Sequence, residues 1–503
     1  MSKGKITLFA VTLAIVAIMQ TATESAHAQI NTITSFTAGD LIVAVEGNGM
    51  QTPGVTYADG QASPLTLYEY SLTGTSSATL VGGLVLPQAA TGTDGNMAAA
   101  NGNFPVSGEY GSSSEATLQL SGNGQYLTIM GYGVNAQTYN STFDVNGTGT
   151  ALAQSPNGTS SNDVTRVIAL IGANGSVNST TALTNVFNEN NPRSVYTENG
   201  TSFYVSGQGN HDDTGGVFYV PNVGATTGIP ITGVDTHSNS YGSYNQDTRD
   251  VQIVNGQLVV SVDSSEGTAS KGYDIDRIGT LGSAGSPPTT TLNQQPTALP
   301  GINGAITLSN GNGNSINGST GSVYLSPENF FFANSTTLYV ADTGDPKNGG
   351  QGSCSDCTGD GGLQKWSLVN GTWVLDYTLS AGLNLVNYVT SSDGVTGLYG
   401  LTGEVVDGTV ELFATSYTAG DTDESYLYGI TDTLSDTTAA EASDETFDVL
   451  DTGPAGEYDF KGLAFAPVAE TPLPPGLPLL LSGLVVLGLA ARFRRSPAQA
   501  CPA

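Results

Sequence analysis

The feature that most constrains the fold is a short run of β-forming residues that recurs along the chain after an Asn or Gly turn. The run at 199–205, NGTSFYV, and the run at 334–340, NSTTLYV, match almost position by position. Looser copies lie at 122–133, 255–264 and 407–417, and the runs at 41–47 and 67–75 near the start bring the number of recognisable pairs to six. Each copy is followed by a partner run, and helical periodicity is almost absent from the body of the chain. The sequence therefore predicts an all-β protein built from repeated antiparallel units.

The spacing of the repeats favours a β-propeller. The matched positions Leu127, Phe203, Leu258, Leu338 and Leu412 are separated by 76, 55, 80 and 74 residues. A minimal four-stranded blade needs only about 40 to 45 residues, so each interval holds one blade with long loops or one and a half blades. We expect six to eight blades, with seven as the favoured number.

Closure of such a ring would come from pairing of the last run, at 462–468, with the first, at 41–47. A propeller leaves only short, protected sheet edges. The alternative is a string of β-sandwiches, which would place a linker about every 100 residues. The sequence contains no clean boundary of that kind.

Charge excludes one class of partner. The chain of 503 residues carries 13 Lys and Arg against 44 Asp and Glu, for a net charge of −31. Binding to nucleic acid needs clustered cations that neutralise phosphates, so we predict no nucleic-acid partner. With only 3 Cys, the protein must be stabilised by a large hydrophobic core rather than by many disulfides.

Residues 1–28 are typical of a secretory signal peptide. Lys3 and Lys5 precede an apolar stretch of about 14 residues, and Ala26-His27-Ala28 forms a small-x-small cleavage site. The alternative, a retained anchor helix, would need roughly 20 apolar residues to span the membrane. We therefore expect the exported body to cover residues 29–469.

Residues 470–495 predict a single C-terminal transmembrane helix. The stretch 477–491 is free of charge and is followed by Arg492, Arg494 and Arg495, which favours a cytoplasmic tail at 496–503. Its 15 residues extend only about 22 Å along a helix, short of the roughly 30 Å hydrocarbon core. The span must borrow flanking residues or be a weak, temporary anchor.

The motif Pro472-Leu473-Pro474-Pro475, followed by an apolar span and an Arg cluster, resembles the PEP-CTERM sorting signals of Gram-negative bacteria, in the Val-Pro-Leu-Pro-Ala variant. Thr471 stands in place of the Val and Pro475 in place of the Ala. The resemblance implies processing by an integral-membrane exosortase and delivery to the cell surface, often in bacteria that make exopolysaccharide. The alternative is a simple C-terminal membrane anchor.

The later repeats resemble a group of secreted propeller-like proteins without a settled activity. The shared pattern is LYVAD at 338–342, then GGLQKW at 361–366, then a Trp-centred strand at 372–374. The resemblance is clear over about residues 330 to 467 and looser over 35–133. It supports the fold and implies no catalytic residues.

Common catalytic constellations are scarce. After signal removal only His211 and His237 remain, and the chain has no GxSxG, HExxH or phosphate-binding loop. His211 lies in a polar loop with Asp212 and Asp213, where an exposed histidine without a catalytic role is the simpler interpretation. We therefore predict no catalytic residues.

One insertion carries the candidate binding chemistry. Cys354 and Cys357 form a CxxC in an exported loop, where an oxidising environment favours a local disulfide. Oxygen ligands suit calcium, and this region offers a candidate calcium set of Asp342, Asp345, Asp356 and Asp360. A second acidic group is Asp421, Asp423 and Glu424, and solvated acidic loops are the alternative for both.

Two functional hypotheses follow. The first is a non-enzymatic surface or matrix protein that binds polysaccharide, with aromatic loops such as Tyr241 and Tyr244 as candidate sugar contacts. The second is an extracellular hydrolase or lyase that uses carboxylates and calcium around the central channel. An enzyme should gather Asp, Glu or His at one end of the channel, whereas a scaffold should leave that mouth lined by Ser, Thr and Gly.

Overall fold

A computed structural model describes most of the chain between residues 30 and 469. The described ranges are 30–88, 102–143, 150–158, 163–210, 214–232, 238–239, 242–243, 247–263, 277–303, 305–307, 322–344, 361–386 and 391–469. Within these ranges the structure is almost entirely β. The exceptions are helix α1 (Ala136–Phe143) and a 3-10 turn at Leu152–Gln154.

The strands are short and follow one another closely. In chain order they are β1 (Leu41–Gly47), β2 (Ala62–Pro64), β3 (Thr66–Leu72), β4 (Ala78–Val85), β5 (Ser107–Glu109), β6 (Gln119–Leu120), β7 (Tyr126–Tyr132), β8 (Arg166–Gly172), β9 (Val177–Leu183), β10 (Pro192–Tyr196), β11 (Phe203–Gly207), β12 (Gly216–Val220), β13 (Ile229–Pro230), β14 (Ser238–Asn239), β15 (Gly242–Ser243), β16 (Thr248–Val254), β17 (Gln257–Val262), β18 (Arg277–Leu281), β19 (Thr297–Asn303), β20 (Ala305–Thr307), β21 (Ser322–Tyr324), β22 (Pro327–Asn334), β23 (Thr337–Asp342), β24 (Gly362–Val369), β25 (Thr372–Leu379), β26 (Val395–Val406), β27 (Thr409–Thr418), β28 (Ser425–Thr433), β29 (Asp448–Gly453) and β30 (Tyr458–Phe465).

These strands form a six-bladed β-propeller. Blade 1 has the order β30-β1-β3-β4, and blades 3 to 6 are the meanders β10–β13, β16–β19, β22–β25 and β26–β29. In blade 2 the inner edge of β7 is shared by β5 and β6, and β8 and β9 lie outside it. β14–β15 and β20–β21 are separate small hairpins.

The expected number of seven blades was therefore wrong. Each recurring run is the second strand of one blade, namely β1, β7, β11, β17, β23 and β27, so six copies make six blades. The described parts of the long intervals hold connections, the helix α1 and two small hairpins rather than additional half blades. Surface connections tolerate insertions that add residues without adding strands. The spacing of the recurring runs therefore overestimated the number of blades.

The predicted closure is confirmed. β30 pairs antiparallel with β1, with Leu41 opposite Phe465 and Gly47 opposite Tyr458. The last strand of the chain thus becomes the innermost strand of the blade that the first strand begins. The ring is closed by hydrogen bonds between the two ends of the body.

Hydrophobic packing lies between blades rather than in one central core. Along β1, Ile42 and Ala44 pack toward blade 2, whereas Leu41 and Val43 pack toward blade 6. The same division applies to the second strands of blades 4 and 5. Because successive side chains of a strand point to opposite faces, a strand between two neighbouring blades must be apolar on both. This explains the uninterrupted run LIVAVEG.

Tight turns join several of the strands. Asn255-Gly256 has φ values of 50° and 75°, and Asn370-Gly371 has 51° and 82°. Two consecutive positive φ values are the type I′ geometry that two-residue hairpins favour. Local turn chemistry therefore explains these Asn-Gly pairs.

The predicted signal peptide and sorting segment lie outside the described residues. In the part of the chain that the structure covers, no helix is long and apolar enough to cross a membrane. The cleavage residues Ala26 and Ala28 and the sorting residues from Pro472 to Arg495 remain predictions.

The closing strand offers a direct test of the architecture. Leu463 on β30 is 1% exposed and packs with Leu41 and Phe413, whereas Val468, just beyond the strand, is 47% exposed. Leu463→Ala should lower the free energy of unfolding by about 2 to 5 kcal/mol because it leaves a cavity at the closing seam. Val468→Ala should stay within about 0.5 kcal/mol of the parent. Denaturant unfolding measures both, and equal effects would contradict the closing role.

Candidate functional site

In blades 4 and 5 the start of the inner strand pairs with the end of the second strand, so these strand ends lie at one end of the ring. Thr248 at the start of β16 faces Val262 at the end of β17, and Pro327 faces Asp342 in the same way. Contacts between side chains near the starts of β10, β16 and β22 link neighbouring blades. We call this end of the ring the mouth.

Five charged residues form a network at the mouth that we call the axial cluster. They are Arg193, Asp247, Arg249, Asp263 and Glu328. The Arg249 guanidinium is central. Its Nη1 lies 2.9 Å from Glu328 Oε2, its Nη2 lies 3.1 Å from Asp263 Oδ2, and its Nε lies 3.1 Å from Asp247 Oδ1. Arg193 pairs with the same Asp247 carboxylate, so two cations hold three carboxylates.

The axial cluster is shielded from water. The side chains of Arg249 and Glu328 are only 4% and 3% exposed. From the opposite side of the ring, the Tyr399 hydroxyl on β26 donates to the backbone carbonyl of Glu115 at 2.6 Å. β26 belongs to blade 6 and Glu115 lies between β5 and β6 of blade 2, so this bond links the two blades on either side of blade 1. Among the described residues, buried polar groups from several blades are thus paired with one another.

Burial changes the pKa values of several of these groups and of the neighbouring Asp250. It raises the pKa of Glu328 to about 7, although Arg249 and Arg193 favour the ionised form. Burial also raises the pKa of Asp250 to about 7, against the hydrogen bonds of Gln252 and Ser194. For Arg249 burial acts to lower the pKa, but the surrounding carboxylates outweigh it and raise the pKa well above its usual value. The arginine therefore stays charged, while the carboxyl of its partner Glu328 titrates near neutrality.

A second buried group, the seam cluster, lies where β30 meets blade 2. Lys461 on β30 has its Nζ 3.6 Å from Glu46 Oε2 and donates to the backbone carbonyl of Ser112. Burial raises the pKa of Glu109 to about 8, with a further contribution from Glu115, and raises that of Glu46 well above its usual value. The lysine on the closing strand therefore contacts Glu46 on β1 and the Ser112 carbonyl in the connection between β5 and β6.

The structure places one member of the predicted calcium set, Asp342. It ends β23 and is fully buried, and its carboxylate accepts hydrogen bonds from the amides of Ser326 and Gly344, both at 2.9 Å, and from Gln364 Nε2 at 2.8 Å. Asp342 thus fixes the backbone at the end of β23, immediately before the insertion that begins at residue 345.

The other predicted site residues lie outside the described ranges. They are Asp345, Asp356 and Asp360, the predicted disulfide Cys354–Cys357, the histidines at 211 and 237, and Tyr241 and Tyr244. Within the described ranges, no group of three or more His, Cys, Asp or Glu side chains is placed to hold a metal ion. Calcium and the disulfide therefore remain predictions.

An open cleft on blade 6 contains part of the second acidic group. Its volume is about 440 Å³, and it is lined by Leu383, Asn384, Asp393, Gly394, Val395, Asp423, Glu424, Tyr426, Tyr428, Val449 and Ala455. The Asp423 carboxylate is fixed by the backbone, because its Oδ2 accepts the amides of Gly394 at 2.9 Å and Gly420 at 2.8 Å. The connection 419–424 and the start of blade 6 are thereby held together.

Two tyrosines form one wall of this cleft. The rings of Tyr426 and Tyr428 stack with their centroids 5.7 Å apart and an interplanar angle of 24°. Tyr428 is buried and packs edge-on against Phe447, whereas Tyr426 is half-buried. The Tyr426 hydroxyl donates to Glu424 Oε1, and this hydrogen bond is the main reason that the pKa of Tyr426 is raised to about 12.

Sequence reasoning identified the acidic run of this cleft and missed the rest. Asp393 lies 30 residues before Asp423 and joins it only through the fold. The axial cluster was missed for the same reason, since its members are single charges on different strands. The available signal was a charged residue near the start of an inner strand, as in TRDVQIV and PENFFFAN.

No protein-family model matches the chain, and no curated protein sequence matches it. Among solved structures, the β-propeller domain of the Trilobed protease from Pyrococcus furiosus aligns with 82% of this chain and 99% of that chain, at 8% identity and a TM-score of 0.28. A point mutant of Synechocystis apocarotenoid oxygenase aligns with 86% and 94%, at 10% identity and a TM-score of 0.32.

A chain from a structural study of two prolyl endopeptidases aligns with 80% of this chain, at 12% identity and a TM-score of 0.27. The alignment spans 42% of that chain, less than half of its length. Likeness at this level does not transfer an activity. The propeller architecture is established by the strand order and registers of this chain.

The buried carboxyls predict how stability depends on pH. Glu109, Asp250 and Glu328 have pKa values of about 8, 7 and 7 in the folded protein, above those of the unfolded chain. The folded state therefore binds more protons than the unfolded state between about pH 4 and 8, and the free energy of unfolding should fall as pH rises through that window. Thermal unfolding across the range measures the slope.

The matched variant is Asp250→Asn, which cannot ionise at this position and should reduce the slope. A parent protein that becomes more stable between pH 5 and 8 would contradict the assignment of these groups as neutral in the fold.

Proposed function

We propose that this protein is an exported, exosortase-sorted β-propeller of the cell surface or extracellular matrix, with a binding or structural role in an exopolysaccharide layer or biofilm. The observation that carries the non-catalytic part is the axial cluster, whose charged side chains are buried and paired with one another. The strongly acidic composition suits a soluble, self-repelling protein outside the cell.

The burial of the axial cluster, rather than its residue types, distinguishes the non-enzymatic hypothesis from the hydrolase or lyase hypothesis. Several carboxylates do gather at the mouth, as an enzyme would require. A general acid or base, however, must reach the reacting atoms of a substrate within hydrogen-bonding distance. Glu328 and Asp263 instead bond to Arg249 in a region shielded from water. Their arrangement favours a role in joining blades 4 and 5.

An extracellular hydrolase or lyase that uses carboxylates and calcium is the second candidate. The observation that favours it is the pKa of about 7 for both Glu328 and Asp250, because carboxyls poised near neutrality are common in active sites. In this case the insertion with Asp345, Asp356 and Asp360 would supply calcium ligands above the mouth. Removal of substrate polymer would then depend on calcium.

The position of the closing strand is compatible with sorting. β30 ends at Phe465, and six residues separate it from Pro472, the first residue of the proposed sorting motif. A cut within Pro472-Leu473-Pro474-Pro475 would therefore remove no strand of the propeller. The body would keep its closing pair after release from the membrane.

Mass spectrometry of the protein recovered from envelope and culture fractions tests the sorting proposal. We expect a mature N-terminus at Gln29, after Ala28, and in the surface fraction a C-terminus near Pro474. Replacement of Pro472-Leu473-Pro474-Pro475 by four alanines should leave the tail uncut, because the processing enzyme recognises the motif. An intact Arg495 tail in every fraction of the parent strain would overturn exosortase sorting.

The binding role is tested with isolated extracellular polysaccharide from the producing cells and the body, residues 29–469. Size-exclusion chromatography should show co-elution with polymer of unchanged length, with and without added calcium. Heat-unfolded protein is the control for non-specific adsorption. Calcium-dependent shortening of the polymer would support the hydrolase or lyase instead, and the absence of both effects would contradict a polysaccharide partner.

A further inference from the structure

We propose that the cleft on blade 6 binds a protonated amino sugar, so that the glycan partner of this protein carries free amino groups. This inference rests on the binding role proposed above and specifies its ligand. It is carried by the size of the cleft, by the kind of polar group that lines it, and by the tyrosine pair in its wall.

The cleft has the size of a small-molecule site. Its volume of about 440 Å³ lies within the range of roughly 300 to 1,000 Å³ that is typical of such sites. Leu383, Val395 and Val449 give it apolar walls, and Ala455 leaves room at one side. A sugar ring can place its apolar face against these walls and its hydroxyl groups toward the polar side.

The polar side consists mainly of hydrogen-bond acceptors. Asp393, Asp423 and Glu424 contribute carboxylates, and the described residues that line the cleft include no Lys, Arg or His. The Tyr426 hydroxyl already donates its hydrogen bond to Glu424, so its oxygen offers only acceptor capacity to a ligand. A ligand rich in N–H and O–H donors is complementary to this lining. The carboxylate of a uronic acid would meet like charge without a compensating cation.

The tyrosine pair favours positive charge independently of the carboxylates. Tyr428 is held by Phe447, and Tyr426 lies on it at a centroid distance of 5.7 Å. The face of an aromatic ring attracts an ammonium group through the ring quadrupole. Because Glu424 also fixes the Tyr426 hydroxyl, little side-chain freedom remains to be lost on binding. Carboxylates and aromatic ring therefore select the same ligand charge.

A lysine-rich peptide shares the ammonium group but lacks the hydroxyl donors of a sugar ring. One ammonium head can satisfy only part of a lining with three carboxylates, an amide from Asn384 and a phenol oxygen. An amino sugar presents both the charge and several hydroxyl donors at ring spacing. The distribution of acceptors thus favours the glycan.

Titration calorimetry with the body, residues 29–469, tests this inference. The probe is a β-1,4-linked glucosamine hexamer at mildly acidic pH, where its amines are protonated and exposed carboxylates stay ionised. The fully N-acetylated hexamer has the same ring framework without the charge. We expect binding of the glucosamine hexamer, weaker or no binding of the acetylated one, and no competition from trilysine at equal concentration.

Three variants locate the site. Glu424→Gln should weaken binding roughly threefold by removing one charge at the rim, and Tyr426→Ala should weaken it at least about threefold by removing the ring. Glu404→Gln is the matched control, because Glu404 is exposed on the same blade but lies outside the cleft. Unchanged melting temperatures show that the variants are folded.

The outcomes separate this inference from the broader one. Equal affinity for the two hexamers, an equal loss in Glu404→Gln, or competition by trilysine would each overturn the amino-sugar site. No binding of the glucosamine hexamer would do the same. Co-elution with native polysaccharide would then still support the proposed binding role.

Discussion

The pairing of β30 with β1 is the interaction on which the rest of the structure depends. Without it, β1 would present an open edge to the ring interior, and the seam between blades 6 and 1 would lose Leu463 and Phe460. Lys461 on the same strand reaches the acids and backbone of blades 1 and 2. β30 thus joins the two ends of the propeller body and buries the charged side chains of Lys461 and Glu46, which meet where the ring closes.

The two kinds of packing in the ring have different physical consequences. Between blades, alternating side chains of each second strand fill two separate hydrophobic seams. Near the axis, side chains from several blades meet at short range, and charged groups there must be paired to remain buried. The axial cluster satisfies this with Arg249, whose guanidinium can bond to several carboxylates at fixed geometry. The same burial raises the pKa of Glu328 to about 7, while its side chain stays shielded from solvent.

The cleft on blade 6 differs from the mouth in both respects. Its carboxylates face a solvent-accessible space, and its backbone contacts hold Asp423 in place without a cation. An open acidic site with an aromatic wall is suited to a ligand, whereas a buried network of paired charges is suited to structure. This contrast favours a ligand site at the edge of blade 6 rather than at the axial cluster.

Sequence reasoning predicted the all-β class, the repeated unit and the closing pair, because these depend on local features. Turn residues such as Asn370 and Gly371 set the hairpins, and β1 is apolar on both faces from Leu41 to Val45. The blade number was overestimated because loop length does not report the number of strands. For Asp342, a member of the predicted calcium set, the structure adds what a sequence cannot show, namely that the backbone amides of Ser326 and Gly344 donate to its carboxylate.

By itself, the sequence determined the class of fold, the acidic surface and the two terminal segments that predict export and sorting. Composition and local pattern are sufficient for these properties, since each is written in consecutive residues. Only the tertiary structure decided the ring of six blades, the pairing of charges in the axial cluster and the meeting of Asp393 with the tyrosines of β28 in one cleft. These depend on contacts between residues tens to hundreds of positions apart, which only the folded chain brings together.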